Sequence, residues 1–200
     1  MTVSSIRTAG HADLTDVGVL LGAAFQRDPI SSWLFPDEER RREVQKKFFR
    51  AFAALALDTG GVIYLTEDQI ATTVWFASEA DGDEDDFMAR FDMLTPAEAD
   101  TFGKLAGWMA ENHPTRGAHM HLQFIGVHPD HQRFGIGGAL LRHNLALLDE
   151  QAMPAYLEAS STLSPPLYQR KGFEHIGTPF GPEPGPKLYP MWREPSSTVA

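Results

Sequence analysis

The chain has 200 residues, 42% of them hydrophobic and 22% charged, with a formal net charge of -10 and no cysteine. That length supports one sizeable core, read as a single domain over 1–200, and the lack of cysteine excludes disulfides, thiolate zinc sites and a cysteine nucleophile together. An acidic balance argues against nucleic acid as a partner, no apolar run is long enough to cross a bilayer, and the opening residues lack a basic leader and an apolar signal core, so the expected setting is cytoplasmic. Negative charge suits a cationic small molecule, although solubility alone also accounts for it.

Residues 3–8 read as a short first strand. From 11 to 25, Leu14, Val17, Leu21, Ala24 and Phe25 recur at the spacing of one helical face, and Asp28-Pro29 ends the run. Trp33, Leu34, Phe35 and Pro36 form an aromatic patch in a connecting segment, either a satellite of the core or a wall of an acceptor pocket. A second helix is expected over 37–57, with Val44, Phe48, Phe52 and Leu55 on one side. Arg40, Arg41, Lys47 and Arg50 fall largely off that side, and Gly60-Gly61 stops the helix. The runs 62–66 and 70–76 are β-rich and flank Glu67-Asp68-Gln69, the pattern of a hairpin. The stretch 79–86 holds six carboxylates in eight residues and reads as a solvated loop leading into a helix. Residues 87–112 look helical in two pieces, broken at Thr95-Pro96, where Thr95 can cap and Pro96 fits the first helical position.

The stretch 120–148 organises the rest. It reads as a buried strand, a Pro-punctuated loop carrying Gln132-Arg133-Phe134, a glycine turn at Gly135, Gly137 and Gly138, and an amphipathic helix. The first turn of a helix leaves backbone N–H groups unpaired at the positive end of its dipole, and glycines let a phosphate approach the main chain. Residues 155–159 make another short strand. Ser164 is a plausible N-cap with Pro165 at the first helical position, Gly172 ends the short helix that carries Tyr168, and 173–177 is a further strand. The run 179–186 is a loop by composition. The last strand, 187–193, contains Pro190, which suggests an edge or a bulge.

Spacing separates the possible phosphate sites. A P-loop needs Lys-Ser or Lys-Thr after its last glycine, but Ala139-Leu140 follow here, and a dinucleotide fingerprint is spoiled by Leu140 and by the distance between Val127 and Gly135. What fits is Q-x-x-G-x-G/A, as Gln132, Gly135 and Gly137, after a strand ending in Gly126-Val127-His128-Pro129. Through IGVHPDHQ, GIG, AYLEAS and LYQRKGF the chain resembles the GNAT acetyltransferase superfamily, and in particular its puromycin N-acetyltransferase-like branch, from about residue 120 onward.

The resemblance implies an α/β (α+β) fold, a mixed and mostly antiparallel sheet of about six to seven strands with helices on both faces. It implies acetyl-CoA as cosubstrate and no metal. Strands 120–127 and 155–159 would splay so that pantetheine lies between them and pairs with main-chain groups of Ile125 and Val127, with Gly126 part of the same cofactor site. The pyrophosphate would sit on N–H groups of Arg133, Phe134, Gly135, Ile136, Gly137 and Gly138, next to Gln132. Two positions depart from the family. Arg133 stands where glycine is common, and Ser164 stands four residues before the tyrosine where asparagine is common, so its role shrinks towards helix capping.

Acyl transfer from a thioester needs a neutral nucleophile, an oxyanion donor and a proton for the thiolate. A backbone N–H near Val127 is the expected oxyanion donor, and Tyr168, facing the sulfur, the acid that protonates the thiolate. Glu158 is the first candidate for the base, with a pKa raised by burial. His121 is the second, sharing a face with Gln123 and Ile125 if the strand alternates regularly. For each residue singly, the structural account, a hydrogen bond for Glu158 and a satisfied strand position for His121, is slightly the better one. The histidines at 113, 119, 121, 128 and 131 lack metal-site spacing and are expected in loops. The expected activity is acetyl transfer to a primary amine of a small molecule. Acetylation of a protein or peptide amine, or a non-catalytic acyl-CoA sensor, are the alternatives. Oligomeric state is open, a homodimer through the C-terminal strands being one arrangement.

Overall fold

A computed structural model describes residues 4–78 and 84–196. The first strand β1 (Ile6–Thr8) leads through a short 3-10 turn into α1 (Leu14–Ala24), followed by α2 (Pro29–Leu34), α3 (Glu38–Asp58), β2 (Val62–Thr66) and β3 (Ala71–Ala77). Then come α4 (Glu84–Ala89), α5 (Pro96–Asn112), β4 (Met120–Val127), α6 (Ile136–Glu150), β5 (Ala155–Ala159), α7 (Pro165–Gln169), β6 (Glu174–His175) and β7 (Tyr189–Arg193). Seven strands form one sheet in the order β1-β2-β3-β4-β5-β7-β6, antiparallel throughout except for the β4–β5 pair.

The periodicity of the sequence accounts for the layers. Val17, Leu20 and Leu21 of α1 pack with Val44, Phe48, Phe49 and Phe52 of α3 and with Ile63, Leu65 and Val74 of the sheet. On the other face, Leu141 and Leu145 of α6 meet Trp75, Leu122, Leu157 and Met191. Asn144 of α6 is buried and accepts hydrogen bonds from Thr73 (2.7 Å) and from the Trp75 indole (3.1 Å), tying that helix to β3. On the first face, the insert is fixed by Arg40 of α3, which makes a bidentate pair with Glu98 (3.0 and 2.8 Å) and donates to the Met93 carbonyl. Thr95 and Glu98 form the capping box that starts α5, as its T-P-x-E pattern implies.

Four sequence expectations are corrected. The segment after Asp28-Pro29 is helical: Asp28 accepts from the Ser31 N–H and Pro29 opens α2, with Phe35 buried just beyond it. Arg41 is buried rather than turned outward, because its guanidinium closes the α1–α3 connection by donating to the carbonyls of Gln26, Phe35 and Pro36. The strand expected over 173–177 is reduced to β6. β7 is an interior strand, and Pro190 is tolerated there because its carbonyl side faces β6, where Ile176 donates to it, so its missing N–H leaves β5 fully paired. The acidic residues 79–83 lie outside the described residues.

Candidate functional site

β4 and β5 pair only at Met120↔Ala155 and His121↔Tyr156, although β4 continues to Val127 and β5 to Ala159. The two strands therefore part beyond His121, as the resemblance implied. A cavity of about 510 Å³ opens at the split, bordered by Gln123, Ile125, Gly126, Val127 and Gln132 on one side and by Leu157, Glu158, Ser160, Ser164 and Tyr168 on the other. The His128 N–H donates to the Ile70 carbonyl beside β3. Strand alternation then turns the main-chain groups of Ile125 and Val127 away from β3 and into the split. Gly126 is required for the opposite reason: a Cβ there would lie 2.7 Å from Leu21 Cδ2, so α1 rests directly on the β4 backbone.

The β4 strand does not alternate regularly. Val74 pairs with Phe124 but Trp75 with Leu122, which leaves Gln123 as an extra residue in a bulge. His121 and Ile125 consequently lie on opposite faces: Ile125 packs with the α6 layer, while His121 meets Tyr156 and Glu158. His121 is withdrawn from the cavity wall and reaches it through Glu158.

At the mouth of the split, α6 starts at Gly135, whose φ of +79° is left-handed and which offers no side-chain cap, so the first-turn N–H groups of Ile136, Gly137 and Gly138 face outward. Arg133 is also left-handed, at φ +68°, and Phe134 is exposed. Gln132 donates its amide to the Val127 carbonyl at 3.1 Å, which anchors the loop to the end of β4. A Cβ at Gly137 would come within 3.2 Å of Val127 Cγ2, so the glycines keep this cradle open. This backbone can receive a pyrophosphate.

Deeper in, Tyr168 is buried between α7 and β5, and its hydroxyl, at the cavity wall, makes no hydrogen bond among the described residues. Burial and the nearby Asp28 carboxylate push its phenol up to about 12. Glu158 is almost fully enclosed; it receives the Tyr156 hydroxyl at 2.8 Å and lies 2.6 Å from His121 Nε2. Burial alone would raise its carboxyl, but the charge and hydrogen bond of His121 and the hydroxyl of Tyr156 outweigh that, and it lies below its ordinary value. The raised pKa expected for Glu158 is thus reversed. Ser164 opens α7 without a side-chain cap and pairs instead with the Ser161 hydroxyl at 2.9 Å, so the capping role expected for it is also corrected.

His113 and His119, expected in loops and found there, converge with His121 of β4 behind Glu158. His119 and His121 are buried, and His113 shares a 3.1 Å hydrogen bond with His119 and stacks on it. Desolvation holds His113 down to about 4 and also lowers His119. Among the described residues no group of three His, Cys, Asp or Glu side chains has the arrangement of a metal site.

Residues 94–175 match the family model for the acetyltransferase (GNAT) domain. That match spans α5, β4, α6, β5, α7 and β6, and solved acetyltransferase structures share the fold of the whole chain. A histone acetyltransferase HPA2 and related acetyltransferase from Corynebacterium glutamicum aligns with a TM-score of 0.72 at 22% identity over 100% of both chains. A polyamine N-acetyltransferase from Drosophila melanogaster, which forms N-acetylagmatine, gives 0.65 at 16% identity over 95% of this chain and 99% of its own. The PaiA N-acetyltransferase from Thermoplasma acidophilum, solved with coenzyme A, gives 0.56 at 11% identity over 97% and 99%. The seven-stranded, mostly antiparallel sheet matches the fold read from the sequence.

Proposed function

We propose that the protein is an acetyl-CoA-dependent N-acetyltransferase acting on the primary amine of a small molecule. The carrying observation is the split between β4 and β5, which has an anion-receiving helix start at its mouth and Tyr168 and Glu158 at its depth. The cavity of about 510 Å³ has room for a small acceptor beside the split. Pantetheine would lie along the free edge of β4 as an added strand, with its pyrophosphate on the N–H groups of 133–138.

The amine arrives as an ammonium and gives one proton to the Glu158–His121 pair. Its lone pair then attacks the thioester carbonyl carbon; the C–N bond forms, the C–S bond breaks, and a main-chain N–H at the β4 edge steadies the oxyanion. The Tyr168 hydroxyl donates to the departing sulfur. A phenol near 12 is a weaker acid than a thiol near 8.5, so its donation stabilises the thiolate as a hydrogen bond, and a proton shed by the amine completes the thiol. Net, ammonium and thioester become amide, thiol and one released proton. Free thiol release from acetyl-CoA, measured across a panel of primary amines, tests the reading: amine-dependent release supports it, and release that no amine stimulates counts against it.

A further inference from the structure

Asp28 reads in the sequence as half of a helix-ending Asp-Pro pair, and the fold gives it a second position. Its carboxylate caps α2 through the Ser31 N–H at 3.0 Å and receives the Ser160 hydroxyl at the end of β5. Along β5 the alternation that points Tyr156 and Glu158 away from α6 continues to Ser160, so Asp28 and Glu158 border the same cavity as Tyr168. Burial raises the Asp28 carboxyl above its ordinary value, and among the described residues no Lys, Arg or His stands within salt-bridge distance of it. A largely desolvated carboxylate beside a cavity is stabilised by any cation that enters.

The chamber beyond is of another kind. Phe48 and Phe52 of α3, Phe102, Leu105 and Met109 of α5, and Phe124 of β4 line it. The charged residues on the cavity wall are Arg27, Asp28 and Glu158. A second ammonium carried into the phenylalanine wall would lose its water without gaining a partner, which is costly. An aromatic or aliphatic body would instead be buried favourably there.

We propose that Asp28 is the ammonium-binding residue of the acceptor site, and that the acceptor is a primary monoamine on an aromatic or apolar body rather than a polyamine. This rests on the acetyltransferase reading above. The test is steady-state kinetics of wild type and Asp28→Asn with 2-phenylethylamine and spermidine, with 2-phenylethanol as a neutral competitor. Asparagine keeps the cap, so Tm and the KM for acetyl-CoA are expected to stay unchanged. The KM for 2-phenylethylamine is expected to rise roughly 10- to 100-fold, the loss of a charged hydrogen-bonding partner. Inhibition by 2-phenylethanol is expected to be unaltered, and wild type to prefer 2-phenylethylamine over spermidine by at least roughly 10-fold in kcat/KM. An unchanged KM for 2-phenylethylamine in Asp28→Asn, or a preference for spermidine, overturns the inference while leaving the transferase standing. No turnover by wild type on either amine, with acetyl-CoA still bound, removes both.

Discussion

Arg133 holds a left-handed backbone at φ +68°, a conformation that costs an L side chain roughly 1 kcal/mol or more. Glycine is common at this position in the family the sequence resembles, and the backbone supplies the reason. Here the strain is retained together with a cation at the mouth of the anion cradle. Arg133→Gly is therefore expected to leave Tm unchanged or higher while weakening acetyl-CoA binding several-fold; calorimetry beside thermal unfolding separates the two effects. A loss of Tm with unchanged binding would mean the side chain is structural. At Glu158, both carboxylate oxygens are already engaged, by His121 and Tyr156, so the group is ionised at neutral pH and held in one orientation. Glu158→Gln is expected to lower kcat by roughly 10²-fold, the scale of a general base, with acetyl-CoA affinity retained. Unchanged kcat would return Glu158 to a purely structural part.

The decisive element is the β4 strand, which breaks from β5, bulges at Gln123 and supports α1 on a bare Gly126. Gly126→Val is expected to destabilise the protein by about 2 kcal/mol, since a branched side chain must displace Leu21 and Ala24 of α1; urea unfolding measures it. On the opposite side, Arg193 of β7 clasps Asp149 at the end of α6 with two 2.8 Å bonds and also holds the Lys171 carbonyl. The guanidinium is buried, so Arg193→Ala is expected to cost about 3 kcal/mol. The strands and helices of this frame were legible because their periods of 2 and 3.6 are carried by apolar residues close in sequence. The bulge was not, since it depends on which residues of β3 face β4, and a regular alternation put His121 and Ile125 on one face. Arg41 and Pro190 were misplaced for a related reason: charge and ring shape argue for the surface, but a long side chain can close a loop from inside, and a short β6 leaves a proline harmless.

Across the whole molecule, the glycine turn that starts α6 was readable from spacing and Tyr168 was singled out through the family resemblance, whereas Asp28 and the histidines at 113 and 119 acquire their neighbours only when distant segments meet. His113 carries a consequence for the entire fold. Burial lowers its folded pKa to about 4, below the roughly 6.5 of an unfolded chain, so the unfolded state binds the extra proton between those values. Stability from this group is full above about pH 6.5 and is lost as pH falls towards 4; Tm is expected to decline over that window, and His113→Gln to flatten the decline. An equal decline in the variant would place the acid sensitivity elsewhere. The central proposal is that the split sheet binds a thioester and that the buried phenol of Tyr168 attends its sulfur. The most direct measurement is thiol release from acetyl-CoA in the presence of 2-phenylethylamine by wild type and Tyr168→Phe, with acetyl-CoA binding followed by calorimetry. The expected result is amine-dependent release that falls by roughly 10²- to 10³-fold in the variant at unchanged acetyl-CoA affinity, the effect of removing one preorganised donor. Failure of wild type to bind acetyl-CoA, or full activity in Tyr168→Phe, would contradict it.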